Sequence, residues 1–244
     1  MGGLAKGLAI IEAFGTRQPS LTVADAARVS GATRASARRC LLTLTELGYL
    51  EFDGKRFRPR PRMLRLGGGY PNAAPLPQLA QPILSAARDQ LGESISLGVL
   101  DGDDVVFVAR AEARWIVSTS VRLGGRLAAY CSATGRVLLS GRRDTEIRAY
   151  LSRVKPAART AKTLLGRTDI LKAVQTARVD GVAFSDEELE LGLRAMAVPV
   201  RDRDGKIVAA MSLSAASARI GVAAMRSRYL RDLQRFAEAL SRDL

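Results

Sequence analysis

The chain has 244 residues, with 38 Lys or Arg against 24 Asp or Glu, a formal charge of +14, and no histidine. The missing imidazole excludes Ser-His and Cys-His nucleophile pairs, His-ligated zinc and the usual general base near neutral pH. Cys40 and Cys131 stand too far apart for a CxxC motif and are too few for a disulfide framework, so no metal centre, catalytic residue or cofactor is expected.

With 47 % apolar residues and a mean hydropathy near zero, the sequence reads as a soluble, core-forming chain. No apolar run approaches the ~20 residues of a membrane span, and residues 1–8 lack the apolar stretch and cleavage site of a signal peptide. A cytoplasmic protein with no membrane partner is expected, and the charge points to a polyanion. That charge is uneven: residues 1–66 hold twelve basic and five acidic side chains, a net +7, and the other 178 residues together also reach only +7. Residues 67–77 contain three glycines and three prolines, a breaker stretch that marks a boundary. Two domains are expected, 1–66 and 79–244, joined by a linker over 67–78.

Leu4, Leu8, Ile11 and Phe14 recur at helical spacing and predict a first helix. Thr22 can cap a second over 23–29, with Asp25 three residues on as an acidic capping box. Gly31 breaks the chain, Thr33 caps a third helix running to Leu47, and Gly48 supplies its left-handed stop. Ala37, Cys40 or Leu41, Leu44 and Leu47 form the inward row of that helix; Arg34, Ser36, Arg38, Arg39 and Thr43 remain for its other faces. Two short helices around a glycine turn, the second cationic at its start, are the helix-turn-helix pattern, whose second helix fits the major groove. Next, Tyr49–Phe52 alternates, Asp53-Gly54 signals a type I′ turn and Lys55–Arg58 returns, a β-hairpin wing tipped by Lys55 and Arg56. Double-stranded DNA is the expected partner. Arg34, Ser36, Arg39 and Thr43, with Thr33 at the helix start, are assigned to the groove, where an arginine can grip guanine through two hydrogen bonds. Arg38, Lys55 and Arg56 are assigned to phosphate, which fixes position without reading sequence.

Beyond the breaker stretch, periodicity predicts a helix over 79–91, strands over 95–100, 105–109 and 115–121, and helices over 134–140, 144–151 and 168–179. Strands over 182–184, 195–200 and 207–213 and a closing helix over 222–240 complete an α+β domain with a mainly antiparallel sheet. There is no GxGxxG, Walker loop, nucleophile elbow or metal-ligand cluster. The acidic run 185–190 reads as a solvated helix start. Ser132-Ala133-Thr134-Gly135-Arg136 lies where a loop enters a helix, a place whose amides and dipole favour an anion. Ser212 and Ser214 alternate with Leu213, so both hydroxyls share a face. Either that face holds a carboxylate against the helix start, or it meets solvent.

Ser20 through Leu44 with Gly48-Tyr49-Leu50 resembles the winged helix of the isocitrate-lyase-regulator (IclR) type transcription factors. Ala129 through Leu139 and Gly181 through Val200 are similar to the effector-domain motifs of that family, so the resemblance spans the chain. It implies a homodimer or dimer of dimers, with a small organic acid held against the sheet. Carried over position by position, the pocket comprises Ala133 and Thr134 with Gly135 at the helix start, Ser185, Leu193, Ala195, Ser212 and Ser214. The wording Glu188-Leu189-Glu190-Leu191-Gly192-Leu193-Arg194, with Arg126-Leu127 ahead of Tyr130, most resembles the protocatechuate and 4-hydroxybenzoate regulators. Ala128, Ser185 and Ala195 depart from that branch. The expected function is a ligand-responsive regulator of catabolic genes, not an enzyme. The alternative is a catalytic domain acting on organic acids, fused to a DNA-binding module.

Overall fold

The computed structural model describes residues 2–15, 18–113 and 122–244; the strand expected over 115–121 lies outside the described residues. The chain forms two compact units, Met1–Tyr70 and Pro71–Leu244. Among the described residues, no helix is long and apolar enough to cross a membrane.

In the first unit α1 (Gly3–Glu12), α2 (Val23–Ser30) and α3 (Arg34–Glu46) precede a two-stranded hairpin, β1 (Leu50–Phe52) and β2 (Phe57–Pro59). The caps are those the sequence requires. Asp25 N–H donates to Thr22 Oγ1 at 3.2 Å and Thr22 N–H donates back to Asp25 Oδ2 at 3.1 Å, a reciprocal box that satisfies two orphan donors. Thr33 accepts from Ser36 N–H at 3.3 Å, and Gly31 and Gly48 take the left-handed conformation that only glycine adopts without strain. Ile10, Leu21, Ala26, Ala37, Leu41, Leu50 and Phe57 make the core. Leu21 exchanges backbone hydrogen bonds with Phe57, stitching the chain before α2 to the wing. Leu47, expected inside, is half exposed, because α3 has ended one residue earlier. The wing turn also differs. Phe52 pairs with Phe57, so Asp53–Arg56 form a four-residue loop, and only Gly54 among them has positive φ, whereas a type I′ turn needs two such residues. Asp53 Oδ1 organises the loop instead, accepting from Lys55 N–H at 2.9 Å and Arg56 N–H at 2.7 Å.

The breaker stretch proves largely helical: α4 (Leu64–Gly67) and α5 (Gly69–Ala73) occupy much of it, and α6 (Pro75–Leu91) starts four residues before its expected position. Pro75 and Pro77 fall in the first turn of α6, where an amide has no intrahelical partner to lose. The second unit continues with β3 (Ser94–Asp101), β4 (Asp104–Ala111), β5 (Arg126–Ala128), α7 (Ala133–Ser140), α8 (Asp144–Arg153) and α9 (Arg167–Asp180). Then come β6 (Ala183–Asp186), β7 (Leu193–Arg201), β8 (Ile207–Ala216) and α10 (Val222–Arg242). The sheet is antiparallel throughout, in the order β5-β4-β3-β8-β7-β6. Alternation along the strands splits the core. Ile95, Leu97, Met196, Val198, Met211 and Leu213 face α6 and α10, and Phe107, Ala197 and Ala210 face α7 and its neighbours. β6 pairs with β7 only as far as Ala197, so that among the described residues no strand pairs Val198–Arg201 on that side.

Every residue of α7 is buried, and that imposes two demands. Helix and preceding turn approach so closely that a Cβ on Gly135 would lie 2.2 Å from Ala129 O. Arg136, 5 % exposed in its side chain, must find a complete set of acceptors. It donates to Glu188 through Nη1 at 2.6 Å and Nη2 at 2.5 Å, to Phe184 O at 3.0 Å and to Tyr130 O at 3.2 Å. The acidic run is therefore no solvated helix start. Ser185 and Asp186 finish β6, and Glu188 is buried beneath Thr163, whose Oγ1 donates to its carbonyl at 2.7 Å. Glu187, in the left-handed conformation at φ 58°, accepts from Lys162, from Gly192 N–H at 2.8 Å and from Ser217 Oγ at 3.0 Å. Those donors hold its carboxyl down at about 2.

Two stability measurements follow from this packing. Gly135→Ala forces a shift of Ala129 and should cost the second unit about 1–3 kcal/mol or more in urea unfolding. Arg136→Met, which leaves Glu188 charged and unpaired, should cost about 3–5 kcal/mol, while Arg136→Met with Glu188→Leu should recover most of that loss.

Candidate functional site

In the first unit, burial of Ala37 and Leu41 against α1 and α2 leaves Arg34, Ala35, Arg38, Arg39, Leu42 and Thr43 exposed on α3. Thr33 is exposed at the helix start, where its side chain serves as the cap. Ser36 is half-buried on the flank facing α1, where it accepts from Lys6 Nζ at 3.2 Å. Cys40 shares that flank, its thiol 3.9 Å from Gly3 O. Lys55 and Arg56 sit in the exposed wing loop, and Arg56 Nη1 donates to Ser20 Oγ at 3.2 Å, which tethers the loop to the residue before α2. The result is one exposed cationic helix face with a cationic wing, a surface suited to a polyanion.

In the second unit the register sets two rungs across the sheet. Arg110 on β4 pairs with Ser96 on β3, Ser96 with Ser212 on β8, and Ser212 with Ala197 on β7. Along the next rung Ser94 pairs with Ser214, Ser214 with Ala195, and Ala195 with Ser185 on β6. Cross-strand partners share a face, here the α7 face, and Ser94, Ser96, Ser185, Ser212 and Ser214 are all buried. Solvent-facing hydroxyls are thus excluded. Gly98 lets α7 close over the sheet, since a Cβ there would lie 2.7 Å from Thr134 Cγ2. Ala133, Thr134 and Gly135 are buried at the helix start, and Leu193 is buried where β7 begins. The Gly135 amide is taken by the Ser132 hydroxyl at 3.0 Å, a cap the sequence reading passed over, so it is not available to a ligand.

The hydroxyls have defined partners. Ser212 Oγ donates to Ser96 O at 3.4 Å, Ser185 Oγ donates to Cys131 O at 3.3 Å, and Ser94 Oγ accepts from Ala113 N–H at 3.0 Å. Arg110, absent from the sequence assignment, closes the first rung. Its side chain is 9 % exposed, and its Nη1 donates to Ser96 Oγ at 2.9 Å. The sequence did carry a signal for the missing half of the site: Ser94-Ile95-Ser96-Leu97 repeats the alternation of Ser212-Leu213-Ser214. The face combines small side chains, hydroxyls and the Arg110 guanidinium, which can pair with an anion, and among the described residues it holds no nucleophile–base pair. Among the described residues no group of His, Cys, Asp and Glu is arranged to hold a metal.

Residues 69–242 match the bacterial transcriptional regulator IclR C-terminal domain, and residues 3–54 match the IclR helix-turn-helix domain. The chain is 40 % identical over 245 residues to the Pca regulon regulatory protein of Pseudomonas putida, covering 100 % of this chain and 83 % of that protein. It is 36 % identical over 226 residues to the p-hydroxybenzoate hydroxylase transcriptional activator of Acinetobacter baylyi, covering 90 % of this chain and 83 % of the relative. A crystal structure of a transcriptional regulator from a Rhodococcus species matches with a TM-score of 0.86 at 40 % identity, over 99 % of this chain and 97 % of that one. An IclR homologue from Microbacterium hydrocarbonoxydans, crystallised with 4-hydroxybenzoate, shares the fold at a TM-score of 0.79 and 23 % identity over 100 % of both chains. These relatives are regulators, and nothing in them supports the alternative of a catalytic domain. A winged helix-turn-helix followed by a hydroxyl-lined antiparallel sheet, matched along nearly its whole length, makes this chain a member of the IclR family of transcriptional regulators, DNA-binding proteins that respond to a small-molecule effector.

Proposed function

We propose that this regulator senses a single-ring aromatic carboxylate of the 4-hydroxybenzoate or protocatechuate class and controls genes for its catabolism in the cytoplasm. The observation that carries the reading is the pair of buried hydroxyl rungs, the first of which ends on Arg110. The guanidinium and Ser96 receive the carboxylate. Two strand spacings, about 10 Å, separate β4 from β8, within reach of one ring that carries a carboxylate and a para hydroxyl. Ala195 and Ala197 leave room for the ring, with Ser212, Ser214, Ser185 and Thr134 around it. Ala133, Gly135 and Leu193 shape the apolar wall. The relatives named for the Pca regulon and for p-hydroxybenzoate hydroxylase support this class of ligand. We assign DNA binding to residues 1–66, and effector binding with oligomerisation to residues 79–244.

A homodimer or dimer of dimers presents paired wings to the operator. Leu4 and Leu8, 79 % and 47 % exposed on α1, give the first unit an apolar strip for a second copy to cover. Operator half-sites should then recur at steps of about 10 base pairs. Arg34, Arg39 and Thr43 read bases, while Arg38, Lys55 and Arg56 hold phosphate. The acid acts by preferring one of two dimer arrangements, since a ligand shifts an equilibrium only through differential affinity.

Thermal-shift titration of the full chain with 4-hydroxybenzoate tests the site. Ligand at 100 times its dissociation constant should stabilise the protein by about 2.7 kcal/mol. Arg110→Met should weaken binding about 10- to 100-fold through loss of a charge-assisted hydrogen bond, with Ser212→Ala as a milder second variant; unchanged affinity in both would remove this face from the effector site. On DNA, Arg39→Ala should relax base preference more than it lowers the slope of log affinity against log salt, whereas Lys55→Ala should reduce that slope by about 1. Retained preference in Arg39→Ala would take that residue off the list of readers.

A further inference from the structure

Arg110 already has a carboxylate. Glu112 stands two residues on, just past the end of β4, and Arg110 Nε donates to its Oε1 at 2.9 Å. The two partners are held very differently. The Arg110 side chain is 9 % exposed and fixed by Ser96, whereas that of Glu112 is 66 % exposed. Ala113 N–H, immediately after it, donates to Ser94 Oγ on the second rung. A cation sunk in the effector face is therefore neutralised by an internal anion that water can reach.

We propose that Glu112 is a built-in competitor for the effector's carboxylate, setting the concentration at which the regulator responds. This inference rests on the assignment of Arg110 as the carboxylate-binding group. An incoming acid meets a guanidinium whose charge is already compensated, so it must displace the Glu112 carboxylate or sit beside a like charge. Both routes weaken binding of an anion, and neither affects a neutral ligand of the same shape. Because Glu112 is largely in water, its cost to the acid is small, enough to tune a threshold without abolishing binding.

Calorimetric titration of the full chain with 4-hydroxybenzoate and with its neutral analogue 4-hydroxybenzamide separates the possibilities. Glu112→Gln keeps an oxygen that can accept from Arg110 Nε and removes only the charge. It should tighten the acid about three- to tenfold and leave the amide unchanged; adding salt should narrow the gap between Glu112→Gln and the native chain. An unchanged or weaker affinity for the acid in Glu112→Gln overturns the competitor and makes Glu112 a support for Arg110. An equal gain for the amide also overturns it, since the effect would then be one of space. Arg110→Met, measured alongside, identifies the other failure: if it binds the acid as the native chain does, the carboxylate site itself is wrong and the competitor falls with it.

Discussion

The Arg136–Glu188 pair, two hydrogen bonds of 2.6 and 2.5 Å between buried side chains, fixes the geometry on which the proposed effector face depends. Such a pair adds little net stability over apolar residues of the same size. What it supplies is position. Arg136 belongs to α7 and Glu188 to the loop after β6, and the same guanidinium holds Phe184 O on β6 itself. The helix start bearing Thr134 and the strand bearing Ser185 are thereby held at one separation. Gly135 and Gly98 complete the arrangement by removing the atoms that would keep α7 away from the preceding turn and from the sheet.

The first unit relies on different physics. Its core among the described residues is small, and its definition comes from local devices: a reciprocal capping box, left-handed glycines after α2 and α3, and a wing loop folded around one aspartate. With the core turned inward, the arginines of α3 have only the surface left. There they remain exposed and hydrated. The same residue type serves both units in opposite settings: exposed on α3, where charge attracts a polyanion, and with its side chain largely covered at Arg110 and Arg136, where it demands an anion partner.

What was legible in the sequence followed the range of the forces involved. Thr22 with Asp25, Thr33, Gly31 and Gly48 act within a few residues, so the helix-turn-helix could be read directly. Ser212 and Ser214 could be placed on one face because alternation is local. Arg110, Ser94 and Ser96 could not be joined to them, since the β3–β8 register pairs residues more than a hundred positions apart. The contact between Ser36 and Lys6 could not be read from spacing, because the docking of α1, not the helix itself, decides which flank of α3 it meets. The prolines near residue 75 signalled a break, yet the first turn of a helix accepts them. The acidic run looked solvated because no local rule reveals that Arg136 lies 52 positions upstream, waiting for Glu188.

The outer end of β7 carries one more implication. β6 stops short of Val198–Arg201, and a bare strand border ordinarily offers amides for a foreign strand to copy. Here Pro199 has no amide to give, and the Arg201 N–H is already committed to Ser241 Oγ of α10 at 2.9 Å. The border is closed to templating. When copies crowd together at high concentration, this end of the sheet offers no amide from which a foreign strand could start to pair.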